Sequence, residues 1–262
     1  MRAGANETLA DHIECSSLRL PSGLAVPILG RDMKRGRTSG TSSPSLGRKS
    51  HVRSLLKKRD FEGVRSWARG NRTPFRTLTT LLFDSDELIR WRAIEALGAV
   101  APLEAEHGIG RPRRHVQRLL WLMNDESGGI CWHAPEAIGE ILYSLPRLIP
   151  EFGSLLPTYF AAEPFERGSR WAVARLAGHD PDLFTDARQP LIESLRDSDP
   201  TIRGYTILAL FAVEGEVALS LFEPLRDDTA VFRMYDYSIG QFQDLRVGDV
   251  AAKPILLSSG TL

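Results

Sequence analysis

The stretch Cys131-Trp132-His133-Ala134-Pro135-Glu136 places a thiol, an imidazole and a carboxylate within six residues, directly after Gly128-Gly129. His133 and Glu136 are three residues apart, a spacing that brings side chains together on one helix face. Cys, His and Glu are the donor types of a metal site. Zinc, however, takes about four ligands in a tetrahedral array, and this stretch offers two or three. Glu95, at the equivalent place one repeat earlier, adds one more carboxylate. A structural reading suits the same residues, because Glu95 and Glu136 share a recurring position and a free Cys is most often a small buried hydrophobe. No metal or other cofactor is therefore expected. Trp132, His133, Glu136 and Glu95 are instead candidate residues for contacting a partner.

The recurrence is direct. Trp91-Arg-Ala-Ile-Glu-Ala-Leu-Gly98 returns as Trp132-His-Ala-Pro-Glu-Ala-Ile-Gly139 and, more loosely, as Trp171-Ala-Val-Ala-Arg-Leu-Ala-Gly178. Three indoles at equivalent positions form a ladder that either lines a binding groove or is buried between repeats. Trp91 and Trp171 read as core. For Trp132 both roles stay open, because the Gly-Gly insertion and Pro135 make its repeat irregular, and Pro135 must kink that helix or delay its start.

A second signature repeats beside the first. Asp84-x5-Arg90 recurs as Asp197–Arg203 and Asp227–Arg233, each after an apolar run. Leu82, Leu122, Leu195 and Leu225 occupy one register, at intervals between 30 and 40 residues where copies are adjacent. Self-similarity of this period predicts an all-α superhelix, a solenoid of stacked antiparallel helix pairs. The Asp-x5-Arg pair and the Ala-Leu-Gly ending resemble HEAT repeats, specifically the short HEAT-like repeats named after phycobilisome lyases. The resemblance spans about residues 50–242. It implies that the Asp sits between the two helices of a repeat and that the Arg, near the start of the second, bridges neighbouring repeats. HEAT-like repeats also form the di-iron site of deoxyhypusine hydroxylases from adjacent His-Glu pairs; here His133 is followed by Ala134, and no His-Glu pair occurs.

Elementary rules give the same unit. Pro190 to Leu195 is a short amphipathic helix. Asp199-Pro200 starts the next, since Asp accepts from unpaired amides at an N-cap and Pro at the first helical position loses no hydrogen bond. Ile202 to Val213 is apolar on more than one side, as a helix sandwiched between neighbours must be. The basic run around Pro112 (Arg111, Arg113, Arg114, Arg118) fits the solvated face of an outer helix, with an anion-binding patch as the alternative.

The chain has 42% apolar and 25% charged residues, ordinary for a globular protein. Its zero net charge hides an asymmetry: residues 31–59 carry ten basic residues against Asp32 alone, a net +9 balanced by −9 elsewhere. Residues 1–48 are accordingly read as a disordered basic extension, through which alone nucleic acid is a conceivable partner. Residues 49–242 form the solenoid, opened by a capping hairpin at His51–Arg69 and closed by a helix pair containing Phe232, Tyr235, Tyr237 and Phe242. Residues 243–262 read as a loose tail. No membrane span and no signal-peptide core are expected, and two cysteines without a disulfide framework suit the cytoplasm. The function these features support is a non-catalytic scaffold that binds a protein or peptide segment on its concave face. The alternative is a cofactor-handling or metal-dependent enzyme of the HEAT-like lyase or hydroxylase type, acting through Cys131, His133, Glu136 and Glu95.

Overall fold

Helices of alternating character build the protein. The computed structural model describes residues 44–124 and 129–257, so residues 1–43 of the basic extension and Gly128 lie outside the described residues; the expected boundary at residue 48 is corrected, since the first helix already begins at Pro44. The helices are α1 (Pro44–Lys57), α2 (Phe61–Arg69), α3 (Pro74–Leu81), α4 (Glu87–Glu106), α5 (Gly110–Met123), α6 (Ala134–Ser144), α7 (Ile149–Phe152), α8 (Glu166–Leu176), α9 (Arg188–Ser194), α10 (Pro200–Glu214), α11 (Leu219–Phe222) and α12 (Val247–Ala252). Strands β1 (Val231–Asp236) and β2 (Gln241–Arg246) lie between α11 and α12. Successive second helices α2, α4, α6, α8 and α10 pack in one row, and α12 continues it. The helices α1, α3, α5 and α9 lie against their partners in that row, and a short α/3-10 run through Tyr159 serves as the outer partner of α8.

Sequence decides which helix goes inside. In α6 every residue from Ala134 to Leu142 is buried, whereas α5 buries Pro112, His115, Val116, Leu119 and Met123 and exposes Arg111, Arg114 and Arg118. The basic run is thus the outer face of α5. Each large side chain sealed into the row contributes about 1.5–3 kcal/mol. Asp86 and Asp199 cap α4 and α10 by accepting from Leu88 N and Thr201 N. Gly98 and Gly139 allow the row to close up: a Cβ at Gly98 would stand 2.7 Å from Glu140 Cγ, and one at Gly139 would stand 2.9 Å from Ala172 Cβ.

The Asp-x5-Arg pairs at 84–90 and 197–203 work alike. Arg90 Nη1 donates to the Asp84 and Ser85 carbonyls, and its Nε reaches His133 Nε2 of the next pair at 3.1 Å. Arg203 donates to the Asp197 and Ser198 carbonyls and forms an ion pair with Asp228 at 2.8 Å. The third copy is different. Arg233 lies in β1, and Phe232, Tyr235 and Phe242 belong to an antiparallel hairpin in which Tyr235 faces Phe242. The expected closing helix pair is therefore corrected to a β-hairpin. The expected tail from residue 243 is corrected as well, since Gln243–Arg246 completes β2 and α12 follows. Physically, Val231-Phe-Arg-Met-Tyr is rich in strand formers, and Asp236 turns the chain by accepting from Ser238 N and Gly240 N.

The run Pro200–Leu225 contains an 18-residue stretch with a mean hydropathy of 1.6, long and apolar enough by composition alone to cross a membrane. It contains α10, ends that helix at Gly215 with φ of +62°, and continues as short helical segments that include α11. Its buried residues pack on α8, α12 and β1, the placement of a core helix.

Candidate functional site

Two surfaces of the second-helix row have opposite fates. Over its middle lies the hairpin. Tyr235 stacks on Trp91 with ring centroids 5.6 Å apart, and Tyr237 stacks on Trp171 at 6.1 Å. Tyr235 Oη donates to Glu95 Oε2 at 2.6 Å, and Arg59 Nη2 donates to Glu95 Oε1 at 3.0 Å. Arg59 also reaches the Tyr237 and Ser238 carbonyls, and Arg92 bridges Leu56 O and Gly240 O. The hairpin tip is thereby tied to the α1–α2 turn across more than 140 residues of chain. Gly240, at φ +64°, permits this approach, because a Cβ there would collide with the Arg59 guanidinium. Further along, Arg175 makes a bidentate pair with Glu140 at 2.9 and 3.1 Å, packs under Tyr143 and Tyr237, and donates to Leu257 O. Burial pushes the Glu95 carboxyl up, against the pull of Tyr235 and Arg59. It drives the Tyr235 and Tyr237 phenols far above their ordinary range.

At the end of the row formed by the helix N-termini, the surface is open. Pro135 sets the start of α6 at Ala134, so Trp132 falls in the preceding turn, outside the helix. Its indole is 67% exposed, whereas Trp91 and Trp171 are 4% and 1% exposed. Phe83, 51% exposed, borders the shallow depression on one side of Trp132, together with Ile130 and Arg90. On the other side is a cleft of about 400 Å³ between the starts of α6, α8 and α10. His133 and Glu136 form its inner wall, Glu163, Glu166 and Asp199 its rim, and Gly168 part of its floor. Arg167, also on the rim, is paired with Asp199.

The protonation pattern at His133 follows from its partners. Arg90 Nε is always a donor, so His133 Nε2 accepts, and Nδ1 carries the proton toward Glu136 Oε1 at 3.3 Å. Glu136 Oε2 is buried without a hydrogen-bond partner and lies against Gly168. A neutral imidazole thus serves one oxygen of a carboxylate whose other oxygen is unmatched.

The structure places Trp132, His133 and Glu136 along one cleft at the start of α6. Glu95 is the exception: it lies beneath the hairpin, saturated by Arg59 and Tyr235, and is not part of this cleft. Cys131 is buried, and desolvation pushes its thiol up to about 12, so it is held as an inert thiol. Among the described residues no group of three or more His, Cys, Asp or Glu side chains is arranged to hold a metal ion. Phe83, Glu163, Glu166 and Asp199 were not identifiable as neighbours of Trp132 from sequence. Asp199 was legible as a helix cap, but nothing in the linear pattern shows that the caps of successive repeats line one cleft.

Fold and site together define an α-solenoid of stacked helix pairs whose second-helix row is strapped by its own β-hairpin. The chain is 30% identical, over 166 residues, to an "uncharacterized protein" of Archaeoglobus fulgidus, a match that covers 62% of this chain and 85% of that one. It belongs to the same family as this archaeal protein. No family model matches the sequence. Among solved structures, an engineered protein aligns with a TM-score of 0.44 at 18% identity, covering 72% of this chain and 87% of its own. A designed armadillo repeat protein aligns at 0.41 and 19%, covering 69% and 88%.

Proposed function

We propose that the protein is a non-catalytic scaffold that binds a protein or peptide segment along the open edge marked by Phe83 and Trp132. The observation that carries this reading is the exposure of Trp132 at a position where Trp91 and Trp171 are buried. Large exposed aromatics beside concave surfaces are the usual anchors of protein interfaces. The middle of the second-helix row is a poor site for the same role, because Tyr235 and Tyr237 already occupy it. Assignment to HEAT-like repeats of the phycobilisome-lyase type is supported by the loop-capping and bridging of Arg90 and Arg203. The buried unpaired Cys131 suits a reducing cytoplasm.

The test is affinity capture from native cells with the full chain and with Trp132→Ala, followed by cross-linking of the captured complex. The proposal expects a partner that cross-links beside residues 83 and 132 and is lost with the variant while the melting temperature holds. A partner retained equally by both proteins, or cross-linked to the outer face of α5, would overturn it.

A further inference from the structure

We propose that the cleft beside Trp132 is a pocket for a cationic side chain, an arginine presented by the bound segment, with Glu136 as its buried counter-charge. The inference rests on the preceding reading and names the chemistry of the partner at that edge. Its first support is Glu136 itself. The side chain is 7% exposed, its Oε1 is served by a neutral imidazole, and its Oε2 has no partner. The contrast with the row's other buried glutamates is informative. Glu95 faces Arg59, Glu104 faces Arg111, and Glu140 faces Arg175, so each has a guanidinium within the chain. Glu136 has none. A buried carboxylate without a counter-ion is costly and is relieved by a cation brought to it.

The second support is the sign of the whole cleft. Four carboxylates (Glu136, Glu163, Glu166 and Asp199) line it against one guanidinium, that of Arg167. Three helix N-termini also point at it through His133, Glu166 and Asp199. Each is equivalent to about half a positive charge, so together they offset less than the carboxylate excess, and the cleft remains anionic. Asp199 is engaged twice, by Arg167 and by Thr201 N. Glu163 and Glu166 form no ion pair among the described residues; Glu166 acts electrostatically on the buried Arg170, while Glu163 is exposed and free to meet an incoming donor.

The third support is Trp132 at the mouth. An indole face beside an anionic pocket accepts the planar guanidinium by stacking, and Arg suits such a site better than Lys because its fork of donors can serve two carboxylates at once. Phe83 and Ile130, beyond Trp132, then receive an apolar residue next to the arginine. The expected motif is a basic residue adjoining an aliphatic or aromatic one.

The full-length protein is to be tested on arrays of hexapeptides in which the central residue is fixed as arginine, citrulline, glutamine or glutamate and the others are randomised. Citrulline keeps the shape of arginine and removes its charge. Arginine pools are expected to be retained about tenfold more strongly than citrulline pools, the size of one well-placed charge contact. Glu136→Gln is expected to abolish that preference. Because this buried substitution can perturb folding, Glu163→Gln serves as a second, exposed variant, and it should reduce the preference without moving the melting temperature. Equal retention of arginine and citrulline pools, both lost in Trp132→Ala, overturns the cation pocket and leaves the open edge standing. Retention indifferent to Trp132→Ala overturns the open edge itself.

Discussion

Trp91-x3-Glu95 and Trp132-x3-Glu136 are the same pair in successive repeats, with opposite surroundings. Around the first, the hairpin supplies Tyr235, Phe242 and, through its tip, the anchorage of Arg59, so the indole is buried and both carboxylate oxygens are bonded. Around the second, Pro135 displaces the helix start, the indole projects into solvent, and one carboxylate oxygen is left unmatched. One repeat motif therefore does two jobs. Where the chain covers it, the motif is cement; where the chain leaves it bare, it is the proposed site. Stability should concentrate in the covered region and recognition at the bare one, which ranks the effects of substitution.

The largest loss of stability is expected from Glu140→Ala, which strands Arg175 under Tyr143 and Tyr237. Removing one partner of a buried ion pair costs about 3–5 kcal/mol, to be read from the denaturant midpoint. Next is a pH effect at His115, which stacks on Phe75 and bonds Thr79 Oγ1. Burial lowers its pKa from 6.5 to about 4. Between those values the unfolded chain binds the extra proton, so stability falls as the pH drops from about 6.5 to 4, by on the order of 3 kcal/mol. His115→Asn should flatten that part of the stability–pH curve; an unchanged curve would show that His115 contributes nothing to it. Arg203→Ala should cost about 1–3 kcal/mol by releasing Asp228 and two loop carbonyls, and an unmoved melting temperature would remove its bridging role. Trp132→Ala comes last, within about 0.5 kcal/mol of the parent, although it should cause the largest loss of binding.

The sequence carried the solenoid because helix caps and apolar periods are local. Asp86 and Asp199-Pro200 announce helix starts, Gly98 and Gly139 mark where inner helices approach closely, and Pro135 announces the late start of α6. Trp132, His133 and Glu136 were readable as a group for the same reason, since they lie within one turn of each other. The hairpin was hidden by a coincidence: Asp227 and Arg233 reproduce the repeat spacing, although Arg233 pairs with Glu87 and stacks on Phe242. Glu95 was misplaced because its fate is set by Arg59 and Tyr235, one 36 residues before it and the other 140 after it. Contacts of that range leave no local trace. Glu163 and Glu166 joined the cleft unannounced in the same way, through packing of three helix starts.

Oxidative footprinting of the tryptophans in the intact protein, read residue by residue by mass spectrometry, tests the division between covered and open surfaces directly. Trp132 should be modified rapidly, as should the equally solvent-facing Trp121 of the outer helix α5, while Trp91 and Trp171 remain protected until the protein unfolds. Rapid modification of Trp91 and Trp171 in the folded protein would mean that the hairpin does not cover the row, and protection of Trp132 would mean that the edge is not open.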